Sequence, residues 1–167
     1  MKPKRSLKGR ALQWLAQREQ SRVELRRKLL PHAVAEDSAA AEAGSPPAES
    51  SPAARVEAVL EWLEVHEYLS QARFVESRVH ARENRFGNLR IRQELKQHQV
   101  SLPLDAALAL RDSELRRARA VRERKFPGWP SSPAERAKQA RFLAGRGFSF
   151  EVIGRALRVA PDPNDDR

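Results

Sequence analysis

The stretch LAQREQSRVELRRKL, beginning at Leu15, returns as LAGRGFSFEVIGRAL, beginning at Leu143, and the two align without a gap at Leu, Ala, Arg, Ser, Arg and Leu. A repeat this short is one supersecondary unit, too poor in apolar residues to cover itself, so it must stack on its neighbours. In both copies a serine, Ser21 or Ser149, stands at a helix–helix corner. A looser third copy runs from Val79 through Arg82 and Gly87 to Leu95, two residues longer at the corner, where Gly87 or Asn88 takes over the turn. Three copies predict an all-α fold: an elongated, curved tandem array of three small three-helix units sharing a shallow core, as in solenoids.

Local signals agree with helices throughout. Leu7, Ala11, Trp14 and Leu15 fall on one helix face, as do Val56, Val59, Leu60 and Leu63. Ser21 with Glu24 and Ser132 with Glu135 read as capping boxes, the second with Pro133 at the first helical position. Leu69 with Phe74, around Ser70, and Phe148 with Ile153, around Ser149, read as hydrophobic staples that fix how one helix leaves the last. Pro31 is expected to end the helix opened by Ser21. Pro127, Gly128 and Pro130 separate the last two long helices. Residues 103–126 predict a helix about 36 Å long at roughly 1.5 Å per residue. Its inward side should carry Leu104, Leu108, Leu115 and Ala118, with Arg111, Arg116, Arg119 and Arg122 beside or opposite them. No strand is required.

Residues 33–54 differ in composition: four acids, no Lys or Arg, and many Ala, Ser and Pro, which predicts a disordered linker. The organisation that follows is residues 6–32 and 55–69 as the two parts of the first unit, 70–126 as the second with its long helix, and 127–160 as the third. The tail 161–167 should fray. Thirty-two Lys and Arg against 22 Asp and Glu give a net charge of +10, which favours polyanions or an acidic protein surface as partner. The chain has no cysteine, so disulfides, thiolate metal sites and cysteine nucleophiles are excluded, and a reducing cytoplasm is the expected location. No apolar run approaches membrane-spanning length.

Catalytic constellations are wanting. His32, His66, His80 and His98 have no zinc-like spacing, and Glu76, His80 and Glu83 on one helix face are ordinary surface neighbours more readily than a cation site. Gly145 and Gly147 follow a helix, not a strand, so they read as a helix stop and a corner, not a phosphate loop. No enzyme, cofactor or metal is expected.

The stretch ARFVESRVHARENRFGNLRIRQELKQHQV, above all FGNLRIRQELKQ, resembles the signature of the RecX family of recombination regulators. Weaker resemblance extends over ALQWLAQREQSRVELRRKLL and AKQARFLAGRGFSFEVIGRAL, in the family's order. The resemblance implies tandem three-helix repeats, no catalysis, and a modulator that docks in the groove of a RecA-type recombinase filament; the chain itself is expected to be a monomer. There it would restrain the filament's ATPase and strand exchange, and so regulate recombination and DNA repair, with DNA in or beside the filament as a second partner. Residues 33–54 depart from the pattern, where a shorter connection between helices is expected. A loop's closure cost grows slowly, about 0.6 kcal/mol per doubling of length, so such an insertion is tolerable.

The residues expected to meet that partner are Arg73, Arg78, Arg82, Arg85, Arg90, Arg92 and Lys96, dense around the signature. Arg78, Arg82 and Arg85 are predicted on one helical face, where guanidinium forks can pair with carboxylates or phosphates. Glu76 and Glu83 are their natural intramolecular partners, which would make some of them mere surface. Gly87 is expected to serve a turn at positive φ. Phe86, Leu89, Ile91 and Leu95 should lie in the core, Trp14 and Trp62 in helix seams, and Trp129 could anchor a partner. A rival reading uses the basic helical corners to bind DNA directly, but no helix carries a base-reading set and aromatics are 6% of residues, thin for stacking along a strand. A passive helical scaffold is a third.

Overall fold

The computed structural model describes residues 5–46 and 48–158, and the tail expected at 161–167 lies outside them. The described residues form eight helices and no strand: α1 (Leu7–Leu15), α2 (Arg22–Glu42), α3 (Pro52–Val65), α4 (Gln71–Glu83), α5 (Asn88–Gln97), α6 (Leu104–Lys125), α7 (Pro133–Gly145) and α8 (Phe150–Ala156). They fall into two compact units, Met1–Ser77 and Arg78–Arg167, the division lying within α4.

In the first unit α1, α2 and α3 close around Leu7, Ala11, Leu25, Leu29, Ala33, Val56, Leu60, Leu63 and Leu69. Trp14 and Trp62 lie half-buried at the margin of this core, as seam residues should, with Lys28 Nζ 5.5 Å from the Trp14 ring centre and Lys8 Nζ 3.7 Å from that of Trp62. The serine caps form: Ser21 accepts from the Glu24 N–H at 3.1 Å. Pro31 does not end α2, contrary to expectation, and the helix runs on to Glu42. A mid-helix proline loses one backbone bond and crowds the preceding turn, at a cost of about 3 kcal/mol. Packing on both sides of it offsets that cost: Leu29 and Ala33 are completely buried. Arg55 on α3 then donates to the Ala33 carbonyl (2.9 Å) and pairs with Asp37 (2.7 Å). The disordered linker expected over 33–54 is therefore helical as far as Glu42, and α3 already begins at Pro52. Between them residues 43–46 and 48–51 are exposed, with Gly44 at φ +69.

In the second unit α6, α7 and α8 enclose Ala118, Val121, Leu143, Phe148, Ile153, Ala156 and Leu157. Two of these core residues belong to α6, so a boundary at 127 would cut through the third helical group. The long helix forms almost as predicted, but its inward side only in part: Ala118 is buried and Leu115 packs against the core, as expected. Leu104 and Leu108 are exposed, whereas Leu110, Glu114, Arg117, Ala118, Val121 and Arg122 are buried. Buried Arg122 lies 4.0 Å from the centre of the Trp129 ring and donates to the Gly128 carbonyl at 2.9 Å. Trp129 is thereby tied to α6. Of the predicted staples, Phe148 and Ile153 share the core of the second unit, and Leu69 and Phe74 are both buried. Ser132 caps α7 as expected, accepting from the Glu135 N–H at 3.2 Å. The Glu135 carboxylate reaches back one residue further than the motif predicts, to the N–H and hydroxyl of Ser131.

Candidate partner-binding surface

The signature folds as the α4–α5 corner, and the reason for its Gly-Asn pair lies outside the corner itself. Where Ser21 and Ser149 cap their helices with a hydroxyl, Gly87 caps α5 with no side chain. Its φ is −78, so the positive φ expected of it is not why glycine stands there. A Cβ on Gly87 would lie 2.3 Å from the carbonyl oxygen of Gly147, because the backbones of two corners touch. Gly87 N–H donates to the Arg146 carbonyl (2.9 Å), and Leu89 N–H to that of Gly147 (3.1 Å). Positive φ occurs instead at Gly147, +83, at the corner after α7.

The missing hydroxyl is replaced from α6. One Glu114 oxygen accepts from the Asn88 backbone N–H and the other from the Asn88 side-chain amide, each at 2.9 Å. A carboxylate at a helix N-terminus also meets the positive end of the helix dipole. Arg117, one turn along α6, donates to the Asn88 side-chain oxygen and to the carbonyls of Glu83, Phe86 and Leu110. Burial pushes the Arg117 guanidinium below its ordinary value, and the charges of Glu114 and Glu83 oppose that. Asn88, Glu114 and Arg117 are each buried. A buried charge set of this kind is tolerable only when its hydrogen bonds are this complete.

The seven predicted partner-binding residues separate on this frame. Arg73 is engaged locally, with Glu19 (2.8 Å) and the carbonyls of Glu67 and Tyr68. Arg78 and Arg82 do share a face of α4, but both turn to Glu94 of α5, at 3.1 and 2.9 Å, rather than to the nearer Glu76 or Glu83. Burial alone would raise the Glu94 carboxyl. The hydrogen bonds and charge of Arg82, with the charges of Arg78 and His98, outweigh it and hold the carboxyl below the usual range. Arg85 lies beyond the end of α4, in the turn, so it does not continue that face. Arg90, Arg92 and Lys96 are exposed on α5, Arg92 and Lys96 one turn apart. None of these three pairs with a carboxylate among the described residues.

Phe86 and Leu89 are not core residues. Leu89 is 58% exposed. Phe86 is half-buried among guanidiniums, its ring centre 4.9 Å from Arg90, 5.5 Å from Arg146 and 5.9 Å from Arg82. Ile91 and Leu95 are buried as expected. Beside the ring opens a cavity of about 380 Å³, lined by Arg82, Phe86, Arg90, Gln93, Glu94, Gln97 and His98. Its walls offer fork donors, amides and one aromatic face, which suits recognition of carboxylate- or phosphate-bearing surfaces. Glu76, His80 and Glu83 do not converge: His80 meets Glu83 at 3.7 Å, and no group of three or more potential metal ligands occurs among the described residues. No described helix is long and apolar enough to cross a membrane.

These features define a class, the all-helical proteins built of three-helix units, here with exposed cations on α5. Comparison with known proteins narrows it. Residues 70–104 match the family model described as the second three-helix domain of RecX, and residues 112–157 match the third. The curated "Regulatory protein RecX" of Ralstonia nicotianae is 46% identical over 166 residues, covering 96% of this chain and 92% of that protein. That of Leptothrix cholodnii is 46% identical over 98% of this chain and 95% of its own length, and that of Neisseria gonorrhoeae 34% identical over 98% and 97%. The crystal structure of RecX from Lactobacillus salivarius has the same fold, with a TM-score of 0.66 at 17% identity over 90% of this chain and 91% of that one. The chain belongs to the RecX family, whose members are regulatory proteins and not enzymes.

Proposed function

We propose that this chain binds a RecA-type recombinase filament and restrains its ATPase and strand exchange, with the outer face of α5 and its cavity as the docking surface. The observation that carries the reading is 46% identity, across nearly the whole chain, to regulatory proteins named RecX. The surface supports it: Arg90, Arg92 and Lys96 are exposed and pair with no carboxylate among the described residues, so their pairing capacity is available to an acidic protomer. Arg78 and Arg82 serve this surface indirectly, by pairing with Glu94 of α5.

Titrating the full chain into a recombinase filament assembled on DNA tests the reading through the filament's ATPase. Inhibition at substoichiometric or modest ratios that persists when free DNA is added in excess supports filament docking. Inhibition abolished by excess DNA contradicts it and favours direct competition for DNA.

A further inference from the structure

A second cavity in the unit Arg78–Arg167, of about 240 Å³, is lined by Arg85, Val121, Arg124, Lys125, Phe142 and Arg146. Four of its six residues are cations and none is an acid. They arrive from three places: Arg85 from the α4–α5 corner, Arg124 and Lys125 from the last turn of α6, Arg146 from the end of α7. Basic residues in a last turn are ordinary complements of the helix dipole, but that accounts for only two of the four.

Protein surfaces usually intersperse the two signs of charge, because clustered like charges repel. Here none of the four cations pairs with a carboxylate among the described residues. Two of the guanidiniums are nevertheless held in place. Arg124 donates to the carbonyls of Asn84 and Ala120. Arg146 lies over two rings, 5.5 Å from the centre of Phe86 and 5.2 Å from that of Phe142. Orientation is thus supplied by carbonyls and aromatic faces, which leave the net charge unneutralised.

We infer that this cavity is a phosphate site that takes one backbone phosphodiester of a nucleic-acid strand. Converging cations from three directions match an anion with oxygens spread in three dimensions better than a planar carboxylate. The cavity is smaller than the roughly 300–1,000 Å³ of pockets that enclose a small ligand. A phosphate group fills only part of this open cavity, so the sugars on either side of it can continue outside, as along a strand. The site is separate from the α5 docking surface and needs no recombinase.

The test measures binding of a fluorescent oligothymidine to the full chain alone, by anisotropy, over a series of salt concentrations. Arg85→Gln/Lys125→Gln is the informative variant, since neither side chain makes a hydrogen bond or ion pair among the described residues. It should weaken binding about tenfold and flatten the salt dependence by about 0.7 log units per log unit of salt for each phosphate no longer neutralised. Arg111→Gln/Arg155→Gln removes the same charge from exposed positions elsewhere and should weaken binding less than about twofold. Equal effects of the two double variants would overturn the site, because diffuse charge would then account for binding. Competition by poly-glutamate as strong as that by unlabelled oligothymidine would overturn the choice of phosphate. Because no recombinase is present, either failure leaves filament docking standing, and failure of filament docking leaves this site standing.

Discussion

At the scale of single residues, the signature is explained by close approach and buried charge. Gly87→Ala should destabilise the fold by about 1–3 kcal/mol, the range for forcing atoms into filled space, since the new Cβ meets the Gly147 backbone. Gly128→Ala, where a Cβ meets nothing within 4 Å, is the matched control, and urea denaturation compares the two. Glu114→Ala leaves both buried Asn88 donors without their acceptor and should cost about 1–3 kcal/mol or more in the same experiment. The sequence pointed to Gly87 as architectural but for the wrong reason. A neighbour about 60 residues away in the chain, Gly147, is what excludes a side chain, and no local pattern reports that. Likewise Arg78 and Arg82 are legible as one face, while their choice of Glu94 depends on how α4 meets α5.

Glu94 also carries a pH signature. Its folded-state value lies below the unfolded one, so its contribution to stability is complete above the unfolded carboxylate range, about 4.3, and is lost as pH falls through the folded value. Glu94→Gln should flatten that acid limb, leaving its unfolding midpoint less dependent on pH between about 5 and 3 than the parent's. Circular dichroism across that range reads the difference. An unchanged slope would mean that the two arginines do not hold the carboxylate.

At the scale of elements, caps and stops were readable unequally. Serine caps depend on neighbours along the chain, and Ser21, Ser70, Ser132 and Ser149 each accept the N–H three residues on. Helix α2 was not readable to its end, because a proline and an Ala-, Ser- and acid-rich composition both pointed to a break. Alanine is nevertheless the best helix former, and tertiary interactions through Ala33 and Asp37 supply what Pro31 removes. Pro31 is exposed, so Pro31→Ala restores a backbone bond without disturbing the core. It should stabilise the first unit by about 2 kcal/mol, the mid-helix cost of about 3 less what proline contributes by stiffening the unfolded chain. A rise in the thermal midpoint checks this, and a fall would mean that the proline suits its site. The inward side of α6 was legible only at Leu115 and Ala118, because its buried stripe mixes Leu110, Ala118 and Val121 with Glu114, Arg117 and Arg122, and apolar spacing alone cannot find it.

At the scale of the whole molecule, the repeat and its corners made the all-helical, three-helix-unit architecture legible, and the RecX signature made the family legible. Two aspects of the surface were not. Which cations remain unpaired depends on carboxylates brought in by other elements, and the group formed by Arg85, Arg124, Lys125 and Arg146 gathers residues that are scattered in the chain. Charge excess alone says only that a polyanion or an acidic surface is a suitable partner.

The central claim is that the exposed cations of α5 dock the chain on a recombinase filament. Its most direct test is co-sedimentation of the Arg90→Glu/Arg92→Glu variant with preformed filaments, beside the parent chain, with helicity and thermal midpoint measured to establish that the variant is folded. A drop in filament affinity of about tenfold or more in a folded variant is predicted from the cost of reversing charges at a docking surface, whereas unchanged affinity would contradict the claim.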